Sequence, residues 1–222
     1  MNWTAVGTSL ELASMTTIVL LLICVPIAYW LAFSRKRWIF LVESVVALPL
    51  ILPPTVLGFY VLVALGPGSP IGRAYQDLFG TTLPFSFKGL VIASTLYSLP
   101  FAVQPIVSAF GSVSRRLIEA SWTLGVSKWG TFRRVILPQS VAGLVTGAVL
   151  SFAHTIGEFG VVLMVGGNIE GETRTISIAI YDDVQALNYS QANTTALLLL
   201  VFSFAILATV YAVNRKAWIA FR

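Results

Sequence analysis

Five stretches of the chain, 12–34, 44–72, 89–114, 135–157 and 184–214, run without an acidic or basic side chain, His154 being counted as neutral. Each exceeds the roughly 20 apolar residues that a helix needs to cross about 30 Å of hydrocarbon. Trimmed at their turn residues, they predict transmembrane helices near 12–33, 41–65, 88–110, 139–165 and 191–213. Between them the pattern changes character. Segment 166–190 carries an apolar stripe of Ile176, Ile178, Ala179, Ile180, Val184 and Leu187, interrupted by Asp182 and Asp183, which predicts a short helix lying on a surface. Such a helix either covers the bundle or forms a lip or docking surface at an outer mouth. Segment 111–138 is the least lipid-like part of the chain, yet it has helical punctuation. Ser112 or Ser114 is placed to cap a first short helix, Gly125 to end it, Ser127 to cap a second, and Pro138 to open the next span.

Composition agrees with a bilayer environment. Of 222 residues, 57% are hydrophobic and 10% charged, with a mean hydropathy of +0.86, whereas a soluble domain carries about a quarter charged residues. The net charge of +5 reports orientation before it reports nucleic acid, because basic residues concentrate on the cytoplasmic side of membrane proteins. Eleven of the 14 basic residues fall in alternate connections: Arg35, Lys36 and Arg37; then Arg115, Arg116, Lys128, Arg133 and Arg134; then Arg215, Lys216 and Arg222. This alternation places the amino terminus outside and the carboxyl terminus inside. The first apolar run is longer than a signal-peptide core, follows no positive charge and precedes a basic cluster, so it reads as a retained span. One cysteine, Cys24, and one histidine exclude an intramolecular disulfide and a structural zinc site. No Gly-Lys pair occurs, so a Walker-type nucleotide loop is absent.

Prolines mark the spans unevenly. Pro49, Pro53 and Pro54 interrupt the second, and Pro100 and Pro105 the third, each removing a backbone donor and bending the helix unless neighbours compensate. Membrane helices tolerate single prolines, but three within six residues point to a broken helix beside a pathway.

In the basic segment, Leu117, Ala120, Ser121 and Leu124 share one helix face, on which the small Ala120 and Ser121 permit close approach of a partner. Trp129, Phe132, Val135 and Ile136 are expected against the membrane boundary, with Arg133 and Arg134 reaching headgroups. The order Glu119-Ala120-Ser121, three residues, Gly125, nine residues, Val135, one residue, Leu137-Pro138 resembles the EAA motif of binding-protein-dependent ABC importer permeases. Ser121 stands in place of the second alanine and Val135 in place of isoleucine. The resemblance implies that this is the coupling element seated in a groove of an ATPase subunit, with Glu119, Ala120, Ser121, Leu124 and Gly125 at or beside the contact. Further on, His154-Thr155-Ile156-Gly157-Glu158-Phe159-Gly160, then Gly166-Gly167-Asn168 and Gly171-Glu172-Thr173, resemble the molybdate permease branch of that family. The Gly-Glu-Phe-Gly portion is shared with sulfate permeases.

The resemblance covers essentially the whole chain, 1–222. It implies an all-α membrane protein of the methionine-importer-permease type, five spans with an external amino terminus and the coupling segment 111–138 in the cytoplasm. It further implies a bacterial inner-membrane homodimer, two ATPase subunits that bind ATP and Mg, an external oxyanion-binding protein, and no cofactor in this chain. The odd span number argues independently for a two-fold dimer with the pathway on its axis.

Glu158 lies twenty residues after Pro138, about 30 Å further along a straight helix. A carboxylate beside a dianion is repulsive, so a structural or gating role is favoured over substrate contact. Gly157 and Gly160 loosen the helix around it. His154 is expected as a core hydrogen-bonder. Neutral donors, Ser151, Thr155 and backbone amides freed near Pro53, are the expected path lining for a tetrahedral oxyanion. Rival readings are an intramembrane enzyme, for which His154 and Ser151 are the sole Ser-His pair on one helix, and a self-contained carrier, which needs no structured basic segment. Molybdate, tungstate and sulfate stay open as cargo.

Overall fold

A computed structural model describes residues 2–220, with side chains through 212, and among these residues every regular element is helical. The basic Arg215, Lys216 and Arg222, on which the expected inside carboxyl terminus partly rests, lie outside the described side chains, and Arg222 outside the described residues.

Helix α1 (Trp3–Phe33) begins nine residues ahead of the expected start, because Asn2 caps it by accepting from the Ala5 amide at 3.0 Å. Glu11 rides on its exposed side. The second expected span is broken where its prolines cluster. Helix α2 (Ile39–Ala47) runs into a 3₁₀ turn at Leu48–Leu50, and α3 (Pro54–Leu65) restarts at an angle of 109°. Pro53 is extended at the cap and Pro54 occupies the first turn, where a missing amide costs nothing. Helix α4 (Pro70–Phe79) was not anticipated from the sequence. Ser69 caps it at the Gly72 amide, and Gly80 closes it at φ 69°.

Helix α5 (Phe87–Ser112) runs unbroken through Pro100 and Pro105, contrary to the expected interruption. It is packed along its length by α1 and α9, so closely that a Cβ at Gly147 would come within 2.9 Å of the Ala102 carbonyl oxygen. Then follow α6 (Arg115–Thr123), α7 (Lys128–Thr131), a π-helical turn at Phe132–Ile136 and the short α8 (Leu137–Gln139). Helix α9 (Val141–Gly157) leaves stretch 128–139 at an angle of 69°. The fourth expected span, 139–165, is also divided: α9 stops at Gly157, and α10 (Gly160–Gly166) begins after Glu158 and Phe159. Helix α11 (Ile176–Gln185) is the expected surface helix, with Ile176, Ile178 and Ala179 buried against the bundle. Asp182 is engaged rather than simply solvated, accepting from Asn168 at 2.8 Å and lying 3.7 Å from Arg174. Helix α12 (Tyr189–Ala220) leans on α9 and α11.

Three helices, α1, α5 and α12, are each long and apolar enough to cross a bilayer, and two bent pairs raise the number to as many as five. Leu22, Leu200 and Phe204 are all more than 60% exposed, as a lipid-facing surface requires and a water-facing one rarely allows. The core is the triple packing of α1, α5 and α9.

Candidate functional site

At the end of the bundle carrying Arg35 to Arg37, α6 and α7 form a compact knuckle. The Ser121 hydroxyl lies 2.6 Å from that of Thr131, and both side chains are buried. One of the two donates to the other, and the second is left to donate within its own turn, Ser121 to the Ile118 carbonyl at 3.1 Å or Thr131 to the Ser127 carbonyl at 3.1 Å. The small face expected to admit a partner is therefore split. Leu117, Ala120 and Leu124 remain exposed, Leu124 at 82%, whereas Ser121 receives the chain's own second helix. Gly125 makes the return possible: at φ 78° it occupies the left-handed region that penalises other residues. Its amide bonds to the Trp122 carbonyl at 2.9 Å, and the Val126 amide to Ser121 at 3.0 Å. Glu119 is held by Arg115 at 3.0 Å on the exposed side.

The knuckle is tied to the bundle by aromatic packing. Phe132 meets Tyr29 of α1 edge-on at 5.3 Å and Phe110 of α5 at 5.9 Å, and Ile118, Ile136 and Val113 complete the cluster. Phe132 and Ile136 were expected at the membrane boundary; they are buried instead, because the π-helical turn directs them into the bundle. Trp129 is 66% exposed and does stand outward.

A second polar assembly joins α5 and α9. Ser98 lies 3.0 Å from His154 Nδ1 and 3.0 Å from the Thr155 hydroxyl. Phe101 stacks on the imidazole at 4.0 Å, and Tyr97 lies across it at 5.0 Å. His154 and Thr155 thus come together as neighbours, but Ser151 does not join them, since its hydroxyl is buried and satisfied by the Gly147 carbonyl at 2.7 Å. Lower on α5, Gln104 and Ser108 are exposed. Polar side chains on an otherwise apolar span face a pathway or another subunit more readily than lipid.

Glu158 stands at the break between α9 and α10, only 4% exposed. Ser94 of α5 is positioned beside it, close enough to act on the carboxylate but short of a well-formed hydrogen bond. The break brings two half-helices side by side. A Cβ at Gly160 would lie 2.7 Å from Pro54, and one at Gly58 would lie 2.8 Å from Met164, so α3 and α10 pack backbone to backbone from their starting residues. Pro53, exposed, caps one half-helix, and Gly157, also exposed, ends the helix before the other. Among the described residues no cluster of His, Cys, Asp and Glu is placed to hold a metal ion.

Ser94, Ser98, Tyr97 and Phe101 were not singled out from the sequence. Their signal was present: Ser94 and Ser98, and likewise Tyr97 and Phe101, are four residues apart on a predicted helix and so share a face. Thr131, the partner of Ser121, carried no comparable signal.

Residues 24–218 match the family model described as binding-protein-dependent transport system inner membrane component. The chain is 51% identical over 211 residues to the molybdenum transport system permease protein ModB of Azotobacter vinelandii, covering 95% of this chain and 93% of that protein. It is 38% identical over 188 residues to the ModB protein of Escherichia coli strain K12, covering 83% and 80%. Among solved structures, the MetNI methionine ABC transporter in inward-facing conformations is similar at a TM-score of 0.75, with 18% identity, over 97% of this chain and 95% of that one. A bacterial alginate ABC transporter is similar at a TM-score of 0.75, with 16% identity, over 96% and 78%. At those identities the structures speak for the fold alone.

Proposed function

The chain belongs to the family of binding-protein-dependent transport system inner membrane components, and from that premise we propose that it is the membrane subunit of an ATP-driven importer of molybdate. The observation that carries the cargo is the 51% identity to a molybdenum permease across 95% of the chain. The chain is a transport subunit rather than an enzyme; ATP and Mg bind to a separate ATPase, and an external oxyanion-binding protein delivers the substrate. Two copies of the chain form the pathway on a two-fold axis, because one bundle of five spans encloses little space. The amino terminus is outside, and the end carrying Arg35 to Arg37 is cytoplasmic.

In this reading α6 is the part the ATPase grips. The exposed Leu117, Ala120 and Leu124 enter its groove, with Glu119 and Gly125 at the edges. The Ser121–Thr131 contact makes α6 and α7 move together, and the Tyr29–Phe110–Phe132 cluster carries the displacement into α1 and α5. The far end of α9 is where the motion is spent: the break at Glu158 and the paired half-helices form the gate, and His154 offers a neutral polar contact to a passing oxyanion, held from behind by the buried Ser98 and Thr155. Neutral donors suit transit, since fixed cations would retain a dianion.

The test is uptake by proteoliposomes containing this chain, its ATPase and its binding protein. ATP-dependent accumulation of molybdate, lost with Leu124→Asp, is expected. Uptake that proceeds without the ATPase, or that carries sulfate and refuses molybdate, would overturn the proposal.

A further inference from the structure

The strongest unassigned feature is a pair of cavities at the end where α1 meets the knuckle. The first, of about 550 Å³, lies between the end of α1, α6 and α7 and is lined by three cations, Arg35, Arg115 and Lys128, together with the Ser34 hydroxyl and the rings of Tyr29 and Trp122. Arg115 has a carboxylate partner in Glu119; among the described residues no carboxylate lies within ion-pairing distance of Arg35 or Lys128. The second cavity, also about 550 Å³, is an apolar groove lined by Val25 and Pro26 of α1 and by Trp129 and Phe132. Tyr29 and Lys128 line both cavities, so the basic pocket and the apolar groove adjoin at those two residues.

A pocket that collects three positive charges, of which only Arg115 has a carboxylate partner, attracts an anion. A groove of apolar side chains beside it, along α1, accommodates a hydrocarbon. A phosphate monoanion on an acyl chain satisfies both; a free oxyanion fills only the first, and an acidic protein segment leaves the second exposed. We infer that this is a binding site for an anionic phospholipid, its phosphate held by Arg35, Arg115 and Lys128 and one acyl chain laid between α1 and the Trp129–Phe132 pair. The site's leaflet, the inner one, follows from the orientation proposed above; the site itself does not depend on the transported cargo. Its walls include Tyr29, Phe132 and Thr131, so the bound lipid braces the same joint that links α6 to α1.

The purified importer complex, delipidated by exchange and titrated with phosphatidylglycerol or phosphatidylcholine, provides the test, with native mass spectrometry counting the lipids retained. Phosphatidylglycerol is expected to be retained at one per copy of this chain and phosphatidylcholine not. The double variant Arg35→Gln, Lys128→Gln is expected to weaken that retention about thirtyfold, given the usual contribution of two basic residues near an anionic headgroup. Val25→Trp, which fills the groove and leaves the charges, is expected to weaken it as well, while Arg133→Gln, Arg134→Gln is not. Millimolar inorganic phosphate is expected not to compete. Undiminished retention in both pocket variants overturns the inference. Displacement by inorganic phosphate shows a free-oxyanion site and also overturns it, as does loss of the ATPase from the double variant with lipid retention unchanged, which shows a protein contact. None of these outcomes bears on whether molybdate is carried.

Discussion

The knuckle at Ser121 and the break at Glu158 handle buried polarity in opposite ways. At the knuckle, each hydroxyl has a partner: one of Ser121 and Thr131 donates to the other, which in turn donates to a backbone carbonyl, beside a cluster of aromatic rings. At the break, a carboxylate is buried beside the Ser94 hydroxyl without a well-formed hydrogen bond between them, and the helix around them has come apart. Satisfied buried polar groups fix one arrangement, whereas unsatisfied ones leave an arrangement easy to abandon. On the proposed function, the stiff region is the one that transmits force and the loosely bonded region the one that opens.

Substitution at the two places sharpens the contrast. The largest effect is expected from Phe132→Ala, which empties the aromatic cluster; loss of a buried phenyl costs about 3–5 kcal/mol. Thermal unfolding of the purified chain should fall accordingly, and ATP hydrolysis should become uncoupled from uptake in whatever protein remains folded. Next, Glu158→Leu should have the reverse sign. Replacing a poorly partnered buried polar group by an apolar one of similar size is expected to stabilise by about 1–3 kcal/mol, raising the melting temperature while slowing uptake. A lowered melting temperature there would remove the claim that the break is unsettled.

How far the sequence exposed these two places differs as well. The spans were readable because lipid demands long uncharged runs, and the proline cluster at 49–54 did mark a real break. The prolines at 100 and 105 did not, since α9 packs its glycines against that stretch of α5, and no local pattern reports a neighbour from elsewhere in the chain. The break at Glu158 was hidden for the converse reason: Gly157 and Gly160 loosen a helix, but only the approach of Pro54 to Gly160 shows where a second half-helix sits. In the knuckle, the glycine stop and serine cap were legible, and the inward turn of Ser121 was not, because its partner lies ten residues on in another helix.

Smaller effects refine the picture of the knuckle. Ser121→Ala removes one hydroxyl of the pair and should cost about 1 kcal/mol. A double-mutant cycle with Thr131→Val, read by thermal unfolding, should show the two effects to be less than additive; strict additivity would mean the contact carries nothing. Gly125→Ala should cost about 1–2 kcal/mol through backbone strain alone, since positive φ is unfavourable for alanine and the space around that position is open.

The reading depends most on which side of the membrane presents α6. Cys24 is the sole cysteine and is buried, so a Cys24→Ala background allows single-site labelling with a membrane-impermeant maleimide. Leu124→Cys, in whole cells expressing the importer, should stay unlabelled until the membrane is permeabilised, and should then be shielded when the ATPase is bound. Labelling of Leu124→Cys in intact cells, or labelling indifferent to the ATPase, would contradict a cytoplasmic knuckle driven by that partner.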